Sequence, residues 1–192
     1  VDPIDGISNF AVGLAFWCVS IGAVIDGEII AGAIYDPMSD QMFWAEGAWC
    51  NDRHLTATSA VDEARAALIT GHPVARDFRL DGRDVALERF SPLTEAFATL
   101  RRPGSAALTL CHVAAGWTDA AAGFGVNAWD VTAAILILRR AGGVYHPLRL
   151  GRVPDDAPDY TCPGYRAHGA QAAYPTLEAV CAEIDAQRSI PR

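Results

Sequence analysis

The chain has 192 residues, 51% of them hydrophobic and 20% charged, which excludes an intrinsically disordered protein and suits one sizeable domain over residues 1–192 or one lobe of a larger protein. Its formal charge of -8 argues against a nucleic-acid backbone as partner, and its apolar runs are interrupted too often to span a bilayer. All fifteen basic residues are Arg, which excludes Schiff-base chemistry and a Walker-type phosphate lysine within this chain.

In chain order, the opening segment Val1-Asp2-Pro3-Ile4-Asp5-Gly6 reads as a turn. Residues 16–25 are β-branched and aromatic, Asp26-Gly27 is a hairpin signal, and residues 28–35 form a second apolar run, so an antiparallel hairpin is predicted. A third short strand is expected over 41–45 and another over 67–70. Residues 76–89 are charged and Gly-interrupted and read as exposed surface. A helix is predicted from Ser91 as N-cap with Pro92 at its first position, broken at Arg101-Arg102-Pro103. An Ala-rich helix follows from Gly104-Ser105-Ala106 to Ala115, then a strand over 117–124. Asn127 precedes a helix to Arg140, whose Val131, Ala134, Ile135 and Leu138 follow the i, i+3, i+4, i+7 pattern. With Leu136 and Ile137 added it is apolar almost all round, so it is expected to be buried. A strand over 144–148, a loop over 151–159 and a last helix capped by Thr176 complete a single layered α/β unit.

Three element ends carry polar chemistry. The opening turn holds Asp2 and Asp5 three residues apart, and hard cations such as Mg²⁺ take oxygen ligands from one or two carboxylates plus substrate phosphate. The same D-P-x-x-D spacing recurs in the ordinary acidic turn Asp36-Pro37-Met38-Ser39-Asp40, so spacing alone does not make a metal site. Gly104-Ser105-Ala106 and Trp129-Asp130 open helices, whose first N–H groups favour anions. Asp130 is equally placed to cap its own helix from three residues after Asn127. The five cysteines, Cys18, Cys50, Cys111, Cys162 and Cys181, form no C-x-x-C pair and read as buried free thiols of a cytoplasmic protein.

Taken together, D-P-I-D-G-I-S-N-F at Asp2 to Phe10, Trp129-Asp130-Val131-Thr132-Ala133 and Ala141-Gly142-Gly143 resemble the inositol monophosphatase family of lithium-sensitive, magnesium-dependent phosphatases. Val19-Ser20-Ile21-Gly22, residues 32–37 and Gly104-Ser105-Ala106-Ala107 extend the resemblance along nearly the whole chain. It implies an inositol monophosphatase or fructose bisphosphatase-like fold of alternating helix and sheet layers. In that fold Asp2, the Ile4 carbonyl, Asp5 and Asp130 hold two or three Mg²⁺ ions. The N–H groups of Gly6, Ile7 and Ser8 hold the phosphate, and Gly104, Ser105 and Ala106 line the rest of the pocket. The implied reaction is hydrolysis of a small phosphate monoester by attack of a metal-bound water. A homodimer is implied as well.

Three departures bear on that reading. The family has Ser or Thr where this chain has Ile7, and an alkyl group cannot hydrogen-bond the attacking water; the adjacent Ser8 is the available substitute. The family Glu that contacts inositol hydroxyls is Gly123 here, which brings sugar, histidinol and nucleotide phosphates into competition as substrates. The family's N-terminal helices, with a metal-binding Glu, precede the opening turn, so the domain reads as N-terminally incomplete and these 192 residues alone are expected to turn over little. The rival reading is a non-catalytic relative that keeps the fold for binding or assembly. His72 and His112 are each either a general acid or a structural histidine. Trp17, Trp44 and Trp49 are expected in the core or an interface, and the Arg101-Arg102 pair either touches phosphate or is a solvated helix end.

Overall fold

The computed structural model describes residues 1–190. Its elements are β1 (Asp2–Asp5), α1 (Ile7–Val12), β2 (Cys18–Ile25), β3 (Glu28–Asp36), β4 (Gln41–Trp44), β5 (Trp49–Cys50), β6 (Arg53–His54), β7 (Ala67–Thr70), α2 (Ala75–Asp81), α3 (Arg83–Ala96), β8 (Thr99–Arg101), α4 (Ala106–Ala114), β9 (Ala120–Phe124), α5 (Ala128–Arg140), β10 (Val144–Leu148), β11 (Gly164–His168) and α6 (Pro175–Arg188). Strands β1 to β6 form an antiparallel meander in chain order. The second sheet runs β10-β11-β9-β7-β8, antiparallel as far as β9 and parallel from there.

Helices α4 and α5 lie between the sheets. Their apolar faces, including Leu108, Leu110, Ile135, Ile137 and Leu138, share one core with Ile34 and Phe43 of the meander and Tyr145 and Tyr165 of the second sheet. Helices α3 and α6 cover the far face of the second sheet, where Leu93, Leu177 and Ile184 meet Leu68 and Phe124. The helix α5 comes unusually close to the meander. Gly22 and Gly32 are paired across β2 and β3, and a Cβ on either would fall 2.7 Å from Thr132 Cγ2 or 2.9 Å from Ala133 Cα. These two glycines let the helix backbone settle on the sheet, and so carry Asp130 to the end of β1.

Several expectations require correction. The opening segment is a strand that feeds a short helix, because Asp2 and Asp5 pair with Ser20 and Cys18 of β2. The charged stretch 76–89 is surface only in part: it forms most of α2 and the first half of α3, with Arg79, Arg83, Asp84 and Glu88 exposed but Asp77, Asp81 and Arg89 buried. Their charges are matched in space: Arg188 of α6 pairs with Asp77 at 2.9 Å and Asp81 at 2.6 Å, and Arg89 reaches Glu183 at 2.9 Å. Pro92 lies inside α3, and Ser91 donates to Glu95 instead of capping. The α6 start is capped not by Thr176 but by Glu63, whose Oε1 accepts the Thr176 and Leu177 amides at 2.8 and 3.0 Å. Four strands, β5, β6, β8 and β11, have no counterpart in the sequence reading. Among the described residues no helix is long and apolar enough to cross a membrane.

Candidate metal and phosphate site

Asp2 and Asp5 sit at the two ends of β1, each 8% exposed. Gly6 turns the chain into α1 with φ 95°, and a Cβ there would lie 2.9 Å from the Phe16 carbonyl, so only glycine fits without strain. The first amides of α1 to find carbonyl partners are those of Asn9 and Phe10, both on Gly6. Ile7 and Ser8 therefore present N–H groups with no intrahelical acceptor. The Asn9 side chain closes the arrangement, donating to the Phe16 carbonyl at 2.7 Å and the Pro103 carbonyl at 2.6 Å. That bond draws the Gly104-Ser105-Ala106 loop up to the opening strand.

The loop serves Asp5 directly. Ser105 Oγ and the Ala107 amide, the latter at 2.8 Å, both donate to Asp5 Oδ2, while Ser105 Oγ accepts the Leu108 amide to cap α4. Ser105 is 2% exposed and aims at the carboxylate, so its hydroxyl acts on Asp5 in addition to lining the adjoining cleft. Asp130, the third residue of α5, accepts the Asn127 amide at 2.8 Å in a capping box. Its position also brings one oxygen into a cluster with Asp2 and Asp5, in which the three carboxylates can offer atoms all within 4.8 Å of one another. The capping and clustering readings of Asp130 both hold.

Three carboxylates this close repel. Burial pushes the Asp5 carboxyl up to about 6, the Ser105 and Ala107 donors oppose it, and Asp130 and Asp2 add to the rise. Burial likewise raises Asp130, against the Asn127 amide and with the Asp2 charge. Among the described residues none of the three has an ion-pair partner, so the donor set suits a hard divalent cation, which takes oxygen ligands and would offset the repulsion. Ile4 donates its amide to Asp2 Oδ1 at 3.1 Å, fixing that carboxylate.

Other sequence candidates fall differently. Ile7 is 68% exposed and Ser8 is exposed, so neither side chain is held toward the cluster by the fold. The second D-P-x-x-D copy is a turn: Asp36 accepts the Met38 amide at 2.9 Å and the Ser39 hydroxyl at 2.7 Å. Arg102 neither touches the cluster nor lies free, because its Nη2 donates to the Gly71 and Pro73 carbonyls at 2.8 and 2.7 Å. His112 packs edge-on against Phe16 and Trp117, and its pKa is lowered by burial. His72 is buried, with Nδ1 3.2 Å from Asp77. Trp44 and Trp49 stack on each other at the strand pair β4–β5, at 5.9 Å. The position of Gly123 is filled from behind, since a Cβ there would meet the Tyr165 ring at 2.6 Å. Asn9, within the opening motif, and Arg76, in the charged stretch, carry no local sequence signal of the contacts they make.

Two sheets with a helix pair between them, and a carboxylate cluster where strand and helix ends meet, define a layered α/β protein with a polar site at its element ends. Residues 1–183 match the inositol monophosphatase family, and the chain belongs to it. It is 42% identical over 147 residues to Nus factor SuhB of Pasteurella multocida, covering 75% of this chain and 54% of that protein. It is 35% identical over 150 residues to the fructose-1,6-bisphosphatase/inositol-1-monophosphatase of Aquifex aeolicus, covering 76% and 55%. The inositol monophosphatase structure from Anabaena superposes with a TM-score of 0.79 at 30% identity, over 95% of this chain and 72% of that one. The chain thus spans about half the length of the curated relatives it matches.

Proposed function

We propose that this protein is a Mg²⁺-dependent phosphatase acting on a small phosphate monoester. The observation that carries the reading is the convergence of Asp2, Asp5 and Asp130 beside the unpaired first amides of α1. In this reading Asp2, Asp5, Asp130 and the Ile4 carbonyl hold the cations, and the amides of Gly6, Ile7 and Ser8 receive the phosphate oxygens. Gly104, Ser105 and Ala106 form the wall on the alcohol side. Divalent cations held there supply Lewis acidity to the phosphoryl group and lower the pKa of a coordinated water. The chain's own work is positioning: Ser105 and the Ala107 amide fix Asp5, Asn127 fixes Asp130, and Asn9 locks α1 to the loop that bears Ser105. We take the protein to be a cytoplasmic homodimer, as the family resemblance implies; its five cysteines, all buried and free, suit a reducing compartment.

Phosphate release by the full-length protein from inositol, sugar, histidinol and nucleotide monophosphates, with and without Mg²⁺, tests the proposal. Mg²⁺-dependent release from at least one class is expected, falling about 10²-fold or more in Asp130→Asn. No release from any of them would sink it.

The exposed alkyl group of Ile7 favours a second reading, a non-catalytic binding protein, and some relatives bear the name Nus factor SuhB. Ile7→Thr separates the two. A restored water-positioning hydroxyl should raise the rate by about 10²-fold, the usual scale of such a group, whereas a protein that binds without catalysis stays inactive.

A further inference from the structure

A cleft of about 1070 Å³ opens at the end of α5 away from Asp130, where the β2–β3 turn meets the loop that joins β10 to β11. Asp130 and Arg139 stand about 13 Å apart along the helix axis, so the cleft is separate from the carboxylate cluster. Its apolar lining includes Ile29, Leu136 and Tyr160, which pack against the main core yet are only partly buried. The core therefore reaches the surface here, and apolar area left in water costs roughly 25 cal/mol per Å² until something covers it.

Three carboxylates line the same opening. Asp26 and Glu28 come from the tight β2–β3 turn, where Asp26 and Gly27 have φ of 50° and 83°, and Asp156 comes from the loop. All three are exposed, and among the described residues none of their side chains has a hydrogen bond or ion pair. The cation among the lining residues, Arg139, is paired with Asp159. Exposed acidic groups alone are ordinary, but these border an opening onto the core, and the combination selects what can cover it. An acidic segment would be repelled, and a neutral one would strip water from the carboxylates without replacing it. Arg or Lys beside an apolar anchor satisfies both halves of the cleft. A second copy of this chain, with its own net charge of -8, is disfavoured by the same charge.

We propose that this cleft docks a basic segment of a partner protein, with an apolar anchor on Ile29, Leu136 and Tyr160 and flanking Arg or Lys on Asp26, Glu28 and Asp156. The site is independent of the phosphatase reading.

The test measures fluorescence anisotropy of labelled peptides of equal length on the full-length protein, in buffer containing Mg²⁺ and 0.15 M salt. Arginine alternates with leucine in the first peptide and with serine in the second, and glutamate alternates with leucine in the third. The Arg-Leu peptide should bind about tenfold or more tighter than either of the others, because it alone supplies both anchor and charge. The triple variant Asp26→Asn, Glu28→Gln, Asp156→Asn changes exposed side chains only and should weaken that binding about tenfold. A control that removes the same charge elsewhere, Asp52→Asn, Asp84→Asn, Glu88→Gln, should leave it unchanged. Leu136→Ala should bring the Arg-Leu peptide toward the Arg-Ser value. Equal binding of the Arg-Leu and Arg-Ser peptides, or equal losses in the two triple variants, overturns the inference. Displacement of the peptide by an equal concentration of spermine would assign the cleft to small polyamines and overturns it as well.

Discussion

Asp130 accepts the Asn127 amide with one carboxylate oxygen and still joins Asp2 and Asp5, so a helix cap and a candidate ligand share one side chain. Local spacing identifies the first role, because a cap and its partner are three residues apart. The second depends on residues 125 and 128 positions away, and family resemblance, not local pattern, pointed to it. Asp77 shows the same division. In sequence it is one charge in a polar run, yet it is buried and accepts from His72, the Val74 amide and Arg188. Burial alone would raise its pKa, but these donors together hold it well below the usual carboxylate range. A depressed folded pKa means that the unfolded chain binds the proton more tightly. Asp77 therefore contributes stability that is fully present above the unfolded value, about 3.9, and is lost as pH falls below it. Urea denaturation at pH 7 should show Asp77→Asn destabilised by about 3 kcal/mol, since one partner of a buried ion pair is removed. The gap between variant and wild type should narrow toward pH 3.

Element positions depend on how closely backbones approach. The α5 helix was readable from its apolar period and its Asn127 start, and α4 from its Gly-Ser-Ala start. The depth at which α5 sits on the meander is set by the glycine pair Gly22 and Gly32. Gly32→Ala would push a methyl group into the α5 backbone at Ala133, and overpacking of this kind costs about 1–3 kcal/mol. A lower melting temperature should come with weaker Mg²⁺ binding, because lifting α5 moves Asp130 away from Asp2 and Asp5. An unchanged metal affinity would show that the helix end is held independently. The elements missed in sequence share a physical cause. Helices α2 and α3 carry charges whose partners lie on α6, and α6 takes its cap from Glu63, more than 100 residues earlier. Strand β11 is short, and its edges are satisfied by β10 and β9, so little in its own residues marks it.

At the scale of the whole molecule, the layers bring β1, the start of α4 and the start of α5 to one place, and three carboxylates gather there without a cationic partner among the described residues. Such a cluster weakens the metal-free fold and strengthens the metal-loaded one. Without divalent metal, Asp5→Asn should melt at or above the wild type. With Mg²⁺ at about 100 times Kd, the wild type should gain about 2.7 kcal/mol and the variant much less. Thermal melts in EDTA and in Mg²⁺ check both halves, and a wild type indifferent to Mg²⁺ would remove the metal from the proposed site. Composition, the apolar helix period and the two separated motifs were enough to give the layered α/β class and the family, because these are properties of local pattern and of order along the chain. Tertiary packing alone determined which acidic residues meet, that Ser105 serves Asp5, that Asp77, Asp81 and Arg89 of the charged 76–89 stretch are buried, and that Arg76 and Arg152 line one cleft. Each of these is a distance between remote residues, and such distances are fixed by how closely helices and sheets pack.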